Sequence, residues 1–253
     1  MGCGASASGL ISEPPKYVEL YAVLGAIAAK DPAATLKMIT DEGPDQLNAE
    51  PKAPCWLVMG TEEGKGAAEG DQCWWLAVFD DRDAYHTDHK ASVATEERQP
   101  FQKGLFASGA TGNPMQDLAG GNMGPILALK FDKIETNLNK NTDNFEFCVL
   151  SRFDAKDAES SEKVIEALKT KRAATVFSNP EFKRAAIVPP KGEQPGASDK
   201  EVIYLEWWSK KSGFENSTKI PGGTLSMDEA LLAEGADATG AGIMFVEGLA
   251  FAR

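Results

Sequence analysis

The chain has two histidines, His86 and His89, and their spacing of three residues is the first feature that could carry chemistry. In an α-helix this spacing puts both side chains on adjacent positions of one face. With Asp83 or Asp88 as a further ligand the pair would form a metal site, but no third ligand stands at a clear spacing. The alternative is a solvent-facing helix in which the histidines lie among aspartate and lysine residues. We therefore predict no metal centre.

The segment that contains the histidines is one of three that occur twice in the chain. VELYAVL at 18–24 is similar to FEFCVLS at 145–151, WWLAVFDDRDAYHTDHK at 74–90 to IYLEWWSKKSGFENSTK at 203–219, and GPILALKF at 124–131 to GIMFVEGL at 242–249. Repetition over about half the chain indicates two copies of one module that share a core. The counterparts of the histidines in the second copy are Glu215 and Thr218. Any histidine chemistry therefore belongs to the first copy alone.

Each copy is predicted to follow the order β-α-β-β-α-β, the ferredoxin-like arrangement. Runs of β-branched, aromatic and apolar residues predict the strands, and Asp31-Pro32 predicts the start of a helix. The predicted strands are 17–28, 53–61, 71–80 and 124–135 in the first copy, and 144–153, 182–188, 201–208 and 242–250 in the second. We accordingly divide the chain into a tail at 1–15, a first repeat at 16–135, a linker at 136–143 and a second repeat at 144–253.

The end of the third strand and the helix start that follows it, VFDDRDAYHTDH at 78–89, resemble the antibiotic-biosynthesis-monooxygenase superfamily, the dimeric α/β-barrel proteins. In that family two ferredoxin-like units place their sheets face to face to close a barrel, with the helices outside. Together with the duplication, the resemblance predicts an α+β fold in which tandem ferredoxin-like (βαββαβ) repeats pack sheet to sheet as a dimeric-type α/β barrel. Both units would be fused in one chain.

Strand alternation divides the side chains of each strand between two faces. We predict that the uniformly apolar face packs under the helices; it carries Val18, Leu20, Ala22, Leu24, Phe145, Phe147, Val149, Ser151, Trp74, Leu76, Val78, Ile203, Leu205 and Trp207. The face of mixed polarity would line the barrel; it carries Tyr17, Glu19, Tyr21, Val23, Glu146, Cys148, Leu150, Arg152, Trp75, Ala77, Phe79, Tyr204, Glu206 and Trp208. Buried charge is costly unless it is paired. The charged residues on this face therefore either pair or lie at strand ends, or they line an aromatic-walled pocket for a small molecule.

For an enzyme, the resemblance implies cofactor-independent oxygenation of an electron-rich phenol or quinol-like substrate. A base, which could be His89, His86 or Glu206, removes a proton, and the resulting anion passes an electron directly to oxygen. A planar aromatic or small apolar ligand would be held by Tyr21, Trp75, Phe79, Tyr204 and Trp208, and Arg152 would stabilise its anion. The haem-degrading members use an Asn, a Trp and a His, and the first strand here lacks the Asn. We therefore expect no cofactor, and the isomerase and decarboxylase members of the family are the alternatives for an enzyme.

Charge and the first residues bear on partners and location. A net charge of -12 argues against nucleic-acid binding, which needs clustered Lys and Arg. The opening Met-Gly-Cys-Gly-Ala-Ser matches a myristoylation pattern at Gly2, with Cys3 as a palmitoylation site, although an ordinary disordered start is the alternative. Two acyl chains anchor a protein stably, so in a eukaryote we expect tethering to a cytoplasmic membrane face. The alternative function is a non-catalytic, lipid-anchored ligand-binding protein or structural subunit, either a monomer or a weak homodimer.

Overall fold

Strands account for most of the residues that the computed structural model describes. It describes residues 16–28, 31, 34–35, 37–38, 41–42, 55–60, 72–89, 103–104, 107, 122–129, 147–177, 179–190, 192–193, 198–217, 219–220, 223–224 and 238–246. The strands are β1 (Val18–Ala28), β2 (Cys55–Gly60), β3 (Gln72–Phe79), β4 (Asn122–Leu129), β5 (Phe147–Ala155), β6 (Phe182–Val188), β7 (Glu201–Trp208), β8 (Lys219–Ile220), β9 (Gly223–Thr224) and β10 (Ala238–Val246). Eight of them match the predicted strands to within a few residues, and the short β8–β9 hairpin was not predicted.

Helices connect these strands, and aspartate side chains start several of them. Helix α1 (Ala84–His89) has π-helical turns. Helix α2 (Ala158–Ala167) continues through a π-helical segment (Leu168–Arg172) into α3 (Ala173–Phe177). Helix α4 (Lys211–Ser217) follows β7. Asp31 accepts a hydrogen bond from Ala34 N at 2.9 Å, which confirms the predicted helix start there. Asp157 caps α2 in the same way through Ser160 N at 2.8 Å.

The two repeats form one continuous antiparallel sheet. The strand order is β10-β5-β7-β6-β4-β1-β3-β2. Each half therefore has the ferredoxin-like order, in which the last strand of the repeat pairs with the first, the first with the third and the third with the second. The halves join through β4 and β6, where Leu127 lies opposite Ile187 and Leu129 opposite Ala185. The predicted tandem ferredoxin-like repeats are confirmed.

One face of this sheet forms the interior of the barrel. Its buried cluster is built from strands of both repeats: Ala22, Leu24, Leu76, Val78, Ile126, Ala128, Cys148, Leu150, Ala186, Val188, Ile203, Leu205 and Trp207. Within the described part of the chain, no helical residue belongs to this cluster, yet Leu24, Leu76 and Leu205 are fully buried. The sheet therefore curves until each repeat covers the apolar face of the other, as in a dimeric-type α/β barrel.

The other face lies under the helices, and here the prediction of which face is which was wrong in three strands. In β1, β3 and β7 the uniformly apolar set faces the interior. The mixed set faces the helices: Tyr204 and Trp208 pack with Val164, Leu168 and Phe214. Polarity misled the assignment because the interior between two sheets is the drier side. The helix side tolerates polar residues since helices bring charged partners to it.

In β5 the faces are as predicted, because the sequence comparison of the first strands was displaced by one residue. It aligned Leu24 with Ser151, but Leu24 lies opposite Leu76 while Leu150 lies opposite the equivalent Leu205. Leu24 therefore corresponds to Leu150. Since alternate side chains point to opposite faces, a shift of one residue exchanges the two faces of a strand.

A buried ion pair joins the helices of the second repeat to their sheet. Arg172 Nε donates to Glu206 Oε1 at 2.6 Å and Arg172 Nη2 to Glu206 Oε2 at 2.8 Å. Trp208 Nε1 donates to the same carboxylate at 3.0 Å, and Arg172 Nη2 also donates to Ser217 Oγ at 3.0 Å. Glu206 therefore lies on the helix side and not inside the barrel. For Glu206 the structure thus shows pairing, one of the alternatives for a charge on this face.

This ion pair predicts a specific pattern of stabilities. Glu206→Leu leaves the guanidinium of Arg172 buried without its carboxylate, so we expect it to lower the free energy of unfolding by about 3–5 kcal/mol. The double variant Arg172→Met/Glu206→Leu removes both charges and should recover most of that loss. Urea denaturation followed by circular dichroism measures both. A double variant no more stable than Glu206→Leu would contradict the account.

Candidate functional site

A polar cluster lies where α1 crosses β1 on the helix side of the first repeat. Tyr21 Oη and His86 Nε2 are 3.1 Å apart. Asp81 positions the start of the helix, because its carboxylate accepts a hydrogen bond from Ala84 N at 2.8 Å. The ring of Tyr85 then packs on Tyr21 and against Phe79, with centroids 5.7 and 5.0 Å apart. The cap and these ring contacts hold the imidazole of His86 over the end of the tyrosine side chain.

The second repeat supplies an acidic residue to the cluster. Tyr21 Oη donates to Glu193 Oε2 at 3.2 Å, although the two residues are 172 positions apart in the chain. Arg82 Nε donates to both carboxylate oxygens, at 2.9 and 3.0 Å. His86 Nε2 lies 3.4 Å from Glu193 Oε2. Three side chains of the first repeat therefore meet on one carboxylate of the second.

The segment that carries Glu193 passes close to the sheet at Gly124. Gly124 in β4 has a φ of +158°, which side chains rarely adopt. A Cβ built on Gly124 would lie 3.5 Å from Gly192 Cα and 3.7 Å from Glu193 N, in direct contact. The segment that follows β6 thus runs close over β4 before it reaches Tyr21 and Arg82.

The hydrogen bonds determine where the protons of the cluster lie. The hydrogen bond from Arg82 is the main cause that lowers the pKa of Glu193, so this carboxylate is ionised at neutral pH and only accepts. Burial, followed by the nearby charge of Glu193, raises the pKa of Tyr21, which therefore stays neutral and donates its proton to Glu193. The remaining contact then requires a hydrogen on His86 Nε2, which donates to the oxygen of Tyr21. In neutral His86 the lone pair is consequently on Nδ1.

The cluster reaches from the protein interior to solvent. Tyr21 is 2% exposed, whereas the side chains of His86, Glu193 and Arg82 are 21%, 29% and 58% exposed. A group from solvent would therefore meet Arg82 first, then His86, and last the tyrosine hydroxyl. This arrangement suits proton transfer and the binding of an anion at the surface end of a buried tyrosine.

The structure divides the residues predicted from the sequence between the two repeats. Tyr21, Phe79 and His86 lie together in the first repeat, while Tyr204, Glu206 and Trp208 lie together in the second. Arg152 forms a two-point ion pair with Glu201, at 2.9 and 3.1 Å, towards one end of β5. The side chains of Trp75 and His89, and all of Gly2 and Cys3, lie outside the described residues. The roles predicted for all of these residues remain predictions.

Three members of the cluster were missed from the sequence. Arg82 and Tyr85 stand within the same stretch as the histidines, so the run DDRDAYH could have drawn attention to them. Glu193 lies in a Gly- and Pro-rich loop of the second repeat, and nothing local relates that loop to β1. Only the pairing of β4 with β6 connects them. The expected same-face spacing of the histidines rests on α-helical geometry and does not apply to the π-helical α1.

The described residues bear on a metal site and on a membrane span. Among the residues with described positions, no three His, Cys, Asp or Glu side chains come together in a way that could hold a metal ion. No helix in the described part of the chain is long and apolar enough to cross a bilayer.

The tyrosines predict how the protein responds to alkaline pH. Burial is the main cause that raises the pKa of each of Tyr17, Tyr21, Tyr85 and Tyr204. An unfolded tyrosine loses its proton near pH 10, whereas a buried one keeps it to higher pH. The folded state is therefore fully stable below pH 10, and its free energy of unfolding falls as the pH rises above that value. We expect tyrosinate absorbance to appear only together with the loss of circular dichroism.

A matched variant isolates Tyr21 in this titration. Glu193→Gln removes a negative charge beside the phenol, and should lower the pKa of Tyr21 relative to the parent protein while burial still keeps it raised. The difference between titrations of the Glu193→Gln variant with and without Tyr21→Phe reports Tyr21 alone. A tyrosine that ionises near pH 10 in the folded parent protein would contradict the assignment.

Comparisons with known proteins show the fold. No protein-family model matches the sequence, and no curated protein is similar to it. Among solved structures, a "putative monooxygenase" from Lactobacillus acidophilus NCFM is 14% identical, with a TM-score of 0.56 over 93% of this chain and 99% of that one. A "putative monooxygenase" from Fusobacterium nucleatum is also 14% identical, with a TM-score of 0.59 over 93% of this chain and 98% of that one. The chain thus has the predicted dimeric α/β-barrel fold, with both ferredoxin-like units in one polypeptide.

Proposed function

We propose that the protein is a cofactor-independent monooxygenase that binds an electron-rich aromatic or quinol-like substrate at the Tyr21–His86 cluster. The 3.1 Å contact between Tyr21 Oη and His86 Nε2 at the edge of the buried aromatic residues carries this proposal. It provides a histidine whose tautomer is set by a neighbouring hydroxyl, which is the usual arrangement of a general base. The fold shared with two proteins described as monooxygenases supports the same reaction class.

The base in this proposal is His86, and Glu206 is not suited to that role. Three donors from Arg172 and Trp208 already occupy the oxygens of Glu206. In His86 the hydrogen bond to Tyr21 engages Nε2, so Nδ1 is left to accept a proton from the substrate. The imidazolium that forms keeps its contact through Nε2 with the oxygen of Tyr21.

The reaction balances with oxygen as the sole co-substrate. His86 removes a proton from the substrate, and the resulting anion transfers one electron to O2, which gives a substrate radical and superoxide. Their recombination forms a C–O bond, and the proton returns to give a hydroperoxide. Loss of water leaves a carbonyl, so that SH2 + O2 gives SO + H2O. One oxygen atom therefore enters the product and the other leaves as water.

Labelled oxygen tests this reaction, because one atom of O2 should enter the product. Protein treated with a metal chelator is supplied with ¹⁸O2 and a panel of electron-rich phenols and quinols, and oxygen uptake and product mass are measured. We expect His86→Gln to lower kcat/KM by about 10²-fold or more. Glu159→Gln, which removes an exposed carboxylate from a helix surface pair with Lys163, is the control. If His89→Gln abolishes turnover and His86→Gln does not, the base is His89 and the assignment is wrong.

A structural, non-catalytic role is the second candidate, and one observation favours it. Among the described residues, apolar side chains that face the barrel interior are fully buried, Trp207 and Leu205 among them. Arg152 and Glu206 are both engaged in ion pairs. Neither charged residue is therefore free to meet a ligand. Absence of ¹⁸O from every product, with a folded protein, would favour this second role.

For the tail, we propose that Gly2 carries a myristoyl chain and Cys3 a palmitoyl chain; the sequence pattern supports this, and both residues lie outside the described part. In eukaryotic cells fed alkyne-tagged fatty acids, Gly2→Ala should lose both labels, because the second chain is added at the membrane. Cys3→Ser should lose only palmitate and shift the protein from stable to weak membrane association. An unlabelled parent protein would contradict the proposal.

A further inference from the structure

The carboxylate of Glu193 is bound by a set of donors that belongs entirely to the other repeat. Arg82 Nε, Tyr21 Oη and His86 Nε2 lie 2.9, 3.2 and 3.4 Å from its oxygens. A guanidinium, a phenol and an imidazole N–H around two oxygens are what proteins use to bind a small organic anion. Glu193 itself stands 111 residues from Arg82 in the chain, so it does not belong to the repeat that carries these three donors.

We propose that Arg82, Tyr21 and His86 form a binding site for an organic oxyanion, a carboxylate or a phenolate, and that Glu193 occupies this site when the ligand is absent. The inference rests on the proposed function in that it names what the same site would hold there, the oxyanion left after His86 has taken the proton. It adds that Glu193, a residue of the second repeat, competes with the ligand for a site in the first repeat.

The exposure of the contact makes Glu193 displaceable. Arg82 is 58% exposed and Glu193 29% exposed. Ion pairs as exposed as this one contribute little to stability, because solvent screens them. The pair between Arg172 and Glu206 is the contrast, with side chains 11% and 0% exposed. An anion from solvent can therefore replace Glu193 at small cost, whereas Glu206 is held in the core.

The buried tyrosine explains why the site must hold an anion in both states. Tyr21 is 2% exposed, and its hydroxyl would lose its acceptor if Glu193 left and nothing replaced it. A phenolate or carboxylate restores that acceptor and keeps the charge that faces Arg82. A neutral ligand restores only the hydrogen bond. The site should accordingly prefer an anion over a neutral molecule of the same shape.

Calorimetric titration of the full chain tests the competition. The probes are 2-naphthoate as the carboxylate, pentafluorophenol, which is ionised at neutral pH, as the phenolate, and 2-naphthol as the neutral control. A competitor that holds the site closed about nine-tenths of the time weakens apparent affinity about tenfold. We expect Glu193→Gln and Glu193→Ala to bind at least one anionic probe about tenfold more tightly than the parent protein. Binding of 2-naphthol also gains when the competitor is removed, but in Glu193→Gln it should stay weaker than that of the anionic probe, because it leaves Arg82 without a negative partner.

Two further variants make the result specific. Arg82→Gln should weaken anion binding about tenfold, both alone and combined with Glu193→Gln. Glu159→Gln changes the net charge equally at a distant surface pair and should leave affinity unchanged. Weaker or unchanged anion binding by Glu193→Gln would overturn the proposal, because Glu193 would then be part of the site and not its occupant. Equal affinity of Glu193→Gln for 2-naphthol and for the anionic probes would overturn the preference for an anion.

The outcome is separate from that of the oxygenase assay. Binding is measured without oxygen, so an anion that binds more tightly to Glu193→Gln without any ¹⁸O incorporation supports the site and rejects the reaction. Conversely, turnover that depends on His86 but has the same KM in Glu193→Gln supports the reaction and rejects the competition.

Discussion

The antiparallel pairing of β4 with β6 is the interaction on which the rest of the structure depends. It joins two four-stranded units into one sheet, with Leu127 opposite Ile187 and Ala128 opposite Ala186. Once the units share a sheet, each has an apolar face to bury, and the sheet curves until the two faces cover each other. The same pairing directs the chain that leaves β6 over Gly124 and towards β1. The interior of the barrel and the cluster around Tyr21 thus have one common cause.

The local elements could be predicted from the sequence because their signals are local. Runs of β-branched, aromatic and apolar residues predicted β6 and β7 at their observed bounds, and Asp31 was recognised as a helix cap. The faces could not be derived in the same way. Whether a polar side chain is acceptable on one face depends on what packs against it, and Glu206 is acceptable under the helices because Arg172 reaches it from the helical layer. That partner is 34 residues away and leaves no periodic signal in the strand.

Some residues of the candidate site were predicted from the sequence, but the contact between the two repeats through Glu193 was not. His86 and Tyr21 were identified from residue type and from the strand that carries them, whereas Glu193 depends on two strands from different repeats lying side by side. The polarity of the two faces of β1 assigned Tyr21 to the barrel interior, while its hydroxyl in fact meets α1 under the helical layer. The role predicted for Tyr21 remains a prediction.

The two repeats show how one scaffold came to hold two different electrostatic arrangements. Both keep an aromatic pair with the same spacing of six residues, Phe79 with Tyr85 and Trp208 with Phe214. Near each pair an arginine meets a glutamate. In the second repeat the carboxylate stands on the sheet itself and is sealed beneath the helix.

In the first repeat the position equivalent to Glu206 is Ala77, so the sheet offers no carboxylate there, and the acidic partner arrives from a loop at the surface. A pair sealed in the core cannot exchange its anion without unfolding, because each charge would be left buried alone. An ion pair at the surface can exchange its anion while the protein stays folded. The difference in burial, more than the presence of a histidine, makes the first repeat the one suited to bind a ligand.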